Sequence, residues 1–225
     1  MAEVWAEFVQ HFNIQQILTI NLERRTERKS FTKEQLLAVQ NKVPHEFLVA
    51  VDGETLDVES LEKRTHPSSK HRIPYIIGCN LSWQMAIRRA IELNRFPVLI
   101  AEDDILLSGM NARVQISDLR VPSEASVVSL ANGQTIQRYG TGILPCGTFP
   151  SKRISSTGVL YFPTRGGAQS VLDSMVDAKY YLHADRQIFH KSKHAYVCSP
   201  RLFTWISGPS DVIGGVRKTK RFFRS

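Results

Sequence analysis

Short apolar runs recur along the chain and predict the strands of a sheet. Each run is rich in β-branched or aliphatic residues and is followed by polar or turn-forming residues, a pattern typical of buried strands. The run at 96–101 contains no polar residue, so it predicts a central strand that is buried on both faces. The predicted strands are residues 14–22, 47–51, 96–101, 127–130, 156–163 and 196–198.

Segments with helical periodicity separate several of these runs. The first opens at the charged residues 23–29, where Thr26 is a candidate N-cap, and a short helix is predicted at 184–190. Residues 57–75 predict an irregular polar excursion, and residues 139–150 a loop or hairpin. The helical stripes are Phe31, Gln35, Leu36 and Val39; Trp83, Ile87, Ala90, Ile91 and Asn94; and, within 164–176, Ala168, Val171, Leu172 and Met175.

The alternation of strands and helices predicts the fold. It is typical of a mostly parallel central sheet flanked by helices, a Rossmann-like α/β architecture. The 225 residues suffice for one such domain and are few for two, so we expect a single domain over residues 1–225. Ligands of such sheets bind beyond the carboxyl ends of the strands. Polar clusters follow predicted strands at residues 21–28, at Asp52 with Gly53, and at residues 102–104.

The acidic run Glu102, Asp103 and Asp104 follows the predicted central strand. Adjacent carboxylates raise one another's pKa unless positive charge lies among them, and a divalent cation such as Mg²⁺ or Mn²⁺ supplies that charge. In an extended segment Glu102 and Asp104 point to one side and Asp103 to the other. A cation held there would neutralise a departing diphosphate. The alternative is a solvated acidic turn.

Three arginines, an aspartate and a histidine outside the acidic run are further candidate site residues. Arg24, Arg25 and Arg28 lie just beyond the first predicted strand, where they either bind phosphate or form a solvated helix start. Asp185 is either a general base for an acceptor hydroxyl or a helix N-cap. His183, two residues earlier, is a candidate metal ligand.

Net charge and cysteine content bear on the binding partners and the cellular compartment of the protein. The net charge of +8 favours phosphate-rich partners such as nucleotides, nucleic acid, lipopolysaccharide or anionic membrane, or it serves solubility alone. The three cysteines lack CxxC or zinc-site spacing and predict reduced thiols. The N-terminus does not resemble a signal peptide, and no run approaches the roughly 18 apolar residues of a transmembrane helix. We therefore expect a cytoplasmic protein.

Several motifs occur in an order that matches a known family. They are residues 20–25 (INLERR) with Arg28, 50–53 (AVDG), 78–82 (GCNLS), 98–104 (VLIAEDD), 157–161 (TGVLY) with 167–168, 184–185, and 196–200 (YVCSP). In this order the chain resembles glycosyltransferase family 25, the lipopolysaccharide-type and procollagen-type galactosyltransferases, over roughly residues 14–213. It departs from the family at Trp83, because the family usually has His after the serine that Ser82 matches.

The resemblance implies both a reaction and a site. It implies a GT-A-like fold, a nucleotide-sugar donor (a UDP-sugar is expected), a divalent metal, and inversion at the anomeric carbon by a hexosyl- or pentosyltransferase. It implies Asp185 as the catalytic base, and Glu102 and Asp104 as the pair that acts as the family's DXD-like metal-binding element. The expected donor-binding residues are Asn21, Leu22, Arg24, Arg25, Arg28, Asp52, Gly53, Gly78, Ser82, Glu102 and Asp103.

The sequence leaves more than one hypothesis open for the acceptor and for the class of reaction. Lipopolysaccharide or another glycan is the acceptor that the resemblance favours. A modified base in DNA is the alternative, suggested by the net charge and by the basic, aromatic-containing residues 216–225, which also fit a flexible solvated terminus. A metal-dependent nuclease or phosphotransferase, and a non-catalytic nucleic-acid-binding module, are the competing hypotheses.

Overall fold

The computed structural model describes most of the chain. The described residues are 2–37, 42–57, 73–107, 110–111, 114–131, 140–146, 158–178, 183–192, 194–206, 208–210 and 215–217.

A seven-stranded sheet forms the centre of the fold, in the order β2-β1-β3-β7-β5-β8-β6. Strands β2, β1, β3, β5 and β8 run in one direction, and β7 and β6 run against them. The predicted mostly parallel, Rossmann-like sheet is therefore confirmed. The strands are β1 (Gln16–Asn21), β2 (His45–Val49), β3 (Val98–Glu102), β5 (Val127–Ser129), β6 (Gly142–Pro145), β7 (Val159–Phe162) and β8 (Ala195–Ser199).

Two small antiparallel ribbons accompany the sheet. Strand β4 (Ile105–Leu106) pairs with β9 (Thr204–Trp205), and β10 (Gly208–Ser210) pairs with β11 (Gly215–Arg217). The first ribbon matters for function because β4 begins directly after the acidic run. Residues 218–225 of the predicted basic tail lie outside the described residues.

Helices cover both faces of the sheet. They are α1 (Ala2–His11), α2 (Thr26–Leu36), α3 (Ile73–Leu93), α4 (Arg165–Val176) and α5 (Ala184–Lys191). Helices α3, α4 and α5 share one apolar core with Leu18 and Ile100, whereas α1, Leu36 of α2 and the C-terminal strands share the other with Ile17 and Leu99. Neighbouring strand residues thus enter opposite cores, as the two-residue repeat of a strand requires. Within the described residues, no helix has the length and apolarity needed to cross a membrane.

The predicted second strand is wrong in position and in burial. Strand β2 begins at His45 rather than at residue 47, and Val49 at its end is 57% exposed. The strand lies at the edge of the sheet and pairs only with β1, so it is not enclosed as the apolar run suggested. The predicted central strand is confirmed, since Val98 to Ala101 are fully buried between β1 and β7.

The predicted helix before the acidic run begins earlier than expected. Helix α3 starts at Ile73, so the motif at 78–82 and the end of the predicted excursion 57–75 are helical; residues 58–72 lie outside the described residues. Pro74 is tolerated because an N–H in the first turn of a helix has no intrahelical acceptor. Proline therefore loses no helical hydrogen bond at this position. The predicted loop or hairpin at 139–150 contributes β6, an edge strand of the main sheet.

Two further differences concern helix α1 and the start of α2. Helix α1 was not predicted, although its Trp5, Phe8 and the following Phe12 are buried against the sheet. Thr26 is not the N-cap of α2, because Arg25 occupies that position without a side-chain capping bond. The predicted helix at 164–176 is confirmed with a one-residue change, since Thr164 is its N-cap and accepts the N–H of Gly167.

Candidate functional site

A cleft opens at the carboxyl edge of the sheet, where β1, β2 and β3 end. The three strands end nearly level, because Asn21 pairs with Val49 and Ile20 pairs with Glu102. Helix α3 closes the far wall. The cleft is lined by Ile20, Leu22, Arg24, Arg28, Ala50, Val51, Asp52, Gly53, Tyr75, Cys79, Ser82, Trp83, Glu102, Asp103 and Asp104.

Asp103, the middle carboxylate of the acidic run, is buried and held by two donors. Asn21 Nδ2 donates to Oδ2 at 2.6 Å, and Arg28 Nη1 donates to Oδ1 at 3.1 Å. Burial raises the pKa of Asp103; the Asn21 hydrogen bond and the Arg28 charge oppose that rise, and the adjacent Asp104 adds to it. The Arg28 charge is therefore directed at a carboxylate of the protein itself.

Helix α2 secures the backbone of the acidic run as well. Thr32 Oγ1 donates to the carbonyl of Asp103 at 3.3 Å, and Gln35 Nε2 donates to the carbonyl of Ile105 at 3.0 Å. Together with Arg28 these residues form a polar stripe at helical spacing that faces the run. The apolar stripe predicted for this helix is thus partly a polar one, with Thr32 and Gln35 buried against the site.

Glu102 and Asp104 flank the anchored Asp103 and are fixed by different elements. Trp83 Nε1, from α3, donates to Glu102 Oε1 at 3.1 Å. The carbonyl of Asp104 accepts the N–H of Ile206 at 2.8 Å, directly after β9. Asp104 is therefore fixed through its backbone from one side of the sheet, and Glu102 through its side chain from the other.

A second group of charges lines the opposite wall. Arg24 Nε donates to Asp52 Oδ2 at 2.8 Å, and Arg24 Nη2 lies 3.6 Å from Glu54 Oε1. Asp52 also caps the turn Gly53–Thr55, because its Oδ1 accepts the N–H of Glu54. The Tyr75 hydroxyl lies 3.4 Å from Glu54 Oε1. Since the Arg24 and Asp52 side chains are partly exposed, this wall can exchange partners with a ligand at low cost.

Helix α3 approaches this wall closely because two glycines face each other. A Cβ on Gly78 would lie 2.8 Å from the carbonyl oxygen of Val51, and one on Gly53 would lie 2.6 Å from the backbone of Pro74. Ser82 completes the contact, since its Oγ accepts the N–H of Val51 at 2.8 Å and donates to the carbonyl of Gly78 at 2.7 Å. The motif at 78–82 thus shapes the cleft by packing and by hydrogen bonds to backbone.

Most of the predicted donor-binding residues line this cleft. Asn21 lies behind it and holds Asp103, while Gly78 packs against its wall. The Arg25 side chain is not in the lining; it pairs with Glu27 at 3.3 Å. Asp185 and His183 are not in the lining either.

Asp185 lies in the first turn of α5. The N-cap position of that helix is His183, without a side-chain capping bond, so the N-cap alternative for Asp185 is wrong. Its Oδ1 accepts the N–H of Arg186 at 2.8 Å. Helix α5 packs against α3 and α4 on the face of the sheet from which Trp83 reaches the acidic run.

Tyr75, Cys79 and Trp83 line the cleft without having been predicted to do so. Trp83 had a signal, because it departs from the family pattern, but its place in an apolar stripe favoured a core role. None of the three cysteines forms a disulfide. Cys146 and Cys198 are buried, which raises the pKa of each to about 12, whereas Cys79 is partly exposed.

The carboxylates of the cleft suit a cation that is shared with a ligand. Among the described residues, no three His, Cys, Asp or Glu side chains are grouped so that they could hold a metal ion by themselves. Mg²⁺ is commonly held by one or two carboxylates while substrate phosphates and water complete its coordination. Glu102 and Asp104 provide such oxygen ligands on either side of Asp103, whose charge Arg28 balances.

A mostly parallel sheet with a cleft of carboxylates and arginines at its carboxyl edge defines a Rossmann-like α/β fold, a class in which ligands bind at that edge. The family follows from comparison with protein-family models. The chain belongs to glycosyltransferase family 25 (LPS biosynthesis protein), whose model matches residues 14–140, and it is therefore a glycosyltransferase. Comparison with curated proteins finds no match.

Proposed function

We propose that the cleft binds a nucleotide-sugar, with a UDP-sugar as the expected donor, and that a divalent cation joins its diphosphate to Glu102 and Asp104. One observation carries the proposal. The acidic run lines the cleft with its middle carboxylate held by Asn21 and Arg28, and Glu102 and Asp104 line the cleft on either side of it. A cation bound there supplies positive charge to the departing diphosphate.

The two arginines of the cleft have different roles in the proposal. Arg28 balances Asp103 and keeps the acidic run in place. Arg24, which is partly exposed and bonded to Asp52, is suited to turn toward phosphate, because a guanidinium group binds phosphate with two parallel hydrogen bonds. Asp52 is then released to accept a hydroxyl of the donor.

The proposed transfer is a single displacement at the anomeric carbon. The acceptor oxygen forms a bond to that carbon while the bond from the carbon to the diphosphate oxygen breaks, which inverts the configuration. The hydroxyl proton passes to the carboxylate of Asp185. The family resemblance at residues 184–185 supports this role, as does the location of Asp185 in α5, which packs beside α3.

The acceptor that we propose is a hydroxyl of a lipopolysaccharide or related glycan. The description of the family as LPS biosynthesis proteins supports this acceptor. Transfer to a modified base in DNA is an outcome that the test below distinguishes.

A donor screen tests the proposal. Purified protein is incubated with UDP-galactose, UDP-glucose and other nucleotide-sugars, with Mn²⁺ or EDTA, and released nucleotide and product are measured on glycan and on DNA acceptors. We expect one donor to be consumed only with the cation. Glu102→Gln, Asp104→Asn and Asp185→Asn should each lower turnover by about a hundredfold or more.

Asp173→Asn is the matched control, because Asp173 is an exposed residue on α4 whose carboxylate accepts a hydrogen bond from Gln169. It should keep full activity. Consumption of no donor, together with metal-dependent cleavage of DNA, would replace the proposal with a nuclease. Normal turnover in Asp185→Asn would remove that residue as the base and leave the donor site in place.

A further inference from the structure

We propose that Trp83 is a positioning residue for the cation site: its indole N–H holds Glu102 through Oε1 and so sets the orientation of the carboxylate that faces the cation. The inference rests on the proposed function, since it concerns the same cleft. It assigns a role in the chemistry to a residue whose position in the sequence suggested a core side chain.

The geometry of the indole supports the assignment. Trp83 is 1% exposed, and its indole N–H, which can only donate, is paired with an acceptor. That acceptor is Glu102 Oε1 at 3.1 Å. The rest of the ring is enclosed by the apolar core beneath α3, including Ile20 and Ile100. The ring cannot rotate away without disturbing that core, and therefore the carboxylate that it holds is fixed too.

The hydrogen-bonding chemistry of the indole determines which atom of Glu102 it contacts. An indole cannot accept a proton or a hydrogen bond through nitrogen, so it bonds only an oxygen lone pair of Glu102. A charge-assisted bond of this kind sets the rotamer of an ionised carboxylate. Partners that orient a ligand in this way affect metal affinity although they do not touch the metal.

A neighbouring contact shows that α3 also holds the wall of the cleft that follows β2. Ser82, one residue earlier, fixes the N–H of Val51 beyond β2, while Trp83 fixes Glu102 at the end of β3. Two consecutive residues of one helix thus set the separation of the two walls. A displacement of Trp83 is transmitted directly to the carboxylate, whereas the fold is held by the many other apolar contacts of α3.

The test compares Trp83→Phe with Trp5→Phe. Both indoles are buried, but Trp5 Nε1 has no hydrogen-bond partner, so its loss leaves no acceptor behind. Mn²⁺ binding is measured in the presence of UDP from the signal of free Mn²⁺ in electron paramagnetic resonance. We expect Trp83→Phe to weaken Mn²⁺ binding by about tenfold or more, and Trp5→Phe to bind as the wild type does.

The possible results separate the inference from the proposed function. If the wild type binds Mn²⁺ and Trp83→Phe binds within about twofold of it, the role of Trp83 is refuted and the cation site stands. If the wild type binds no Mn²⁺ at saturating UDP, the cation site and the role of Trp83 both fall.

A second measurement covers the case in which Trp83→Phe does not fold. The chain has three tryptophans, so protein labelled with 5-fluorotryptophan should give three ¹⁹F resonances. Trp5→Phe and Trp205→Phe identify two of them, and the remaining one belongs to Trp83. Mg²⁺ with UDP should shift that resonance, and Mn²⁺ should broaden it more than the signal of Trp5. An unchanged Trp83 resonance at saturating ligand would overturn the inference.

Discussion

Replacement of Arg28 by Met tests how the acidic run is held. The substitution keeps an unbranched side chain of similar length and removes the charge that Asp103 faces. The Arg28 and Asp103 side chains are only 11% and 9% exposed, so loss of one partner leaves a buried carboxylate with no countercharge. Such losses cost about 3–5 kcal/mol. Because Asn21 still donates to the other carboxylate oxygen, we expect the lower end of that range, about 3 kcal/mol.

Thermal and urea unfolding measure this loss. For a chain of this size, about 3 kcal/mol lowers the Tm by roughly 6–12 °C. The control is Arg89→Met, which breaks a comparable pair with Glu46 whose side chains are 39% and 34% exposed. An exposed pair of this kind contributes little to stability. If Arg28→Met loses no more stability than Arg89→Met, then Arg28 does not anchor the run and our division of roles between the two cleft arginines is wrong.

Three further predictions follow from other contacts. Burial lowers the pKa of His45 to about 4, so stability present above pH 6.5 should fall by about 1–2 kcal/mol, allowing for screening, as the pH drops toward 4; His45→Gln should flatten this profile in urea titrations. Iodoacetamide should modify Cys79 well before the two buried thiols, and UDP with Mn²⁺ should slow that reaction; mass spectrometry that finds equal rates with and without ligand would argue against donor binding at this wall. Gly78→Ala should cost about 1–3 kcal/mol because its Cβ meets Val51, while Gly166→Ala, with open space around it, should be neutral or slightly stabilising in thermal unfolding.

The sheet could be predicted where the pattern of residues is set by burial on both faces. The run at 96–101 has no polar residue because β3 lies between two strands and two helical layers, and the observed strand, Val98–Glu102, overlaps most of the predicted one. The run at 47–51 has a similar composition, yet β2 lies at the edge and is half-exposed. Apolar composition reports strand propensity, whereas the place of a strand in the sheet depends on partners that are distant in sequence.

The site was recovered in outline for a related reason. Polar residues that follow parallel strands meet at one edge, and this brought Arg24, Asp52 and the acidic run together. Their individual partners were not predictable. The contact between Arg28 and Asp103 spans 75 residues, and that between Trp83 and Glu102 joins a helix to a strand end. Gln35 and Trp83 were predicted only as members of stripes at helical spacing, because periodicity shows which face of a helix is buried but does not identify the partner of a buried polar atom.

The ribbon formed by β4 and β9 has a consequence for the order in which the protein becomes active. The cleft is built from residues before 105, and the family model ends at residue 140, but Asp104 is fastened by Ile206 and the far side of β3 is covered by residues 159–162. When the chain up to residue 140 has left the ribosome, every side chain of the cleft has been synthesised, but the later strands that hold these side chains in position have not. Competence to bind the donor should arise only after residue 206 has emerged and folded back against the acidic run.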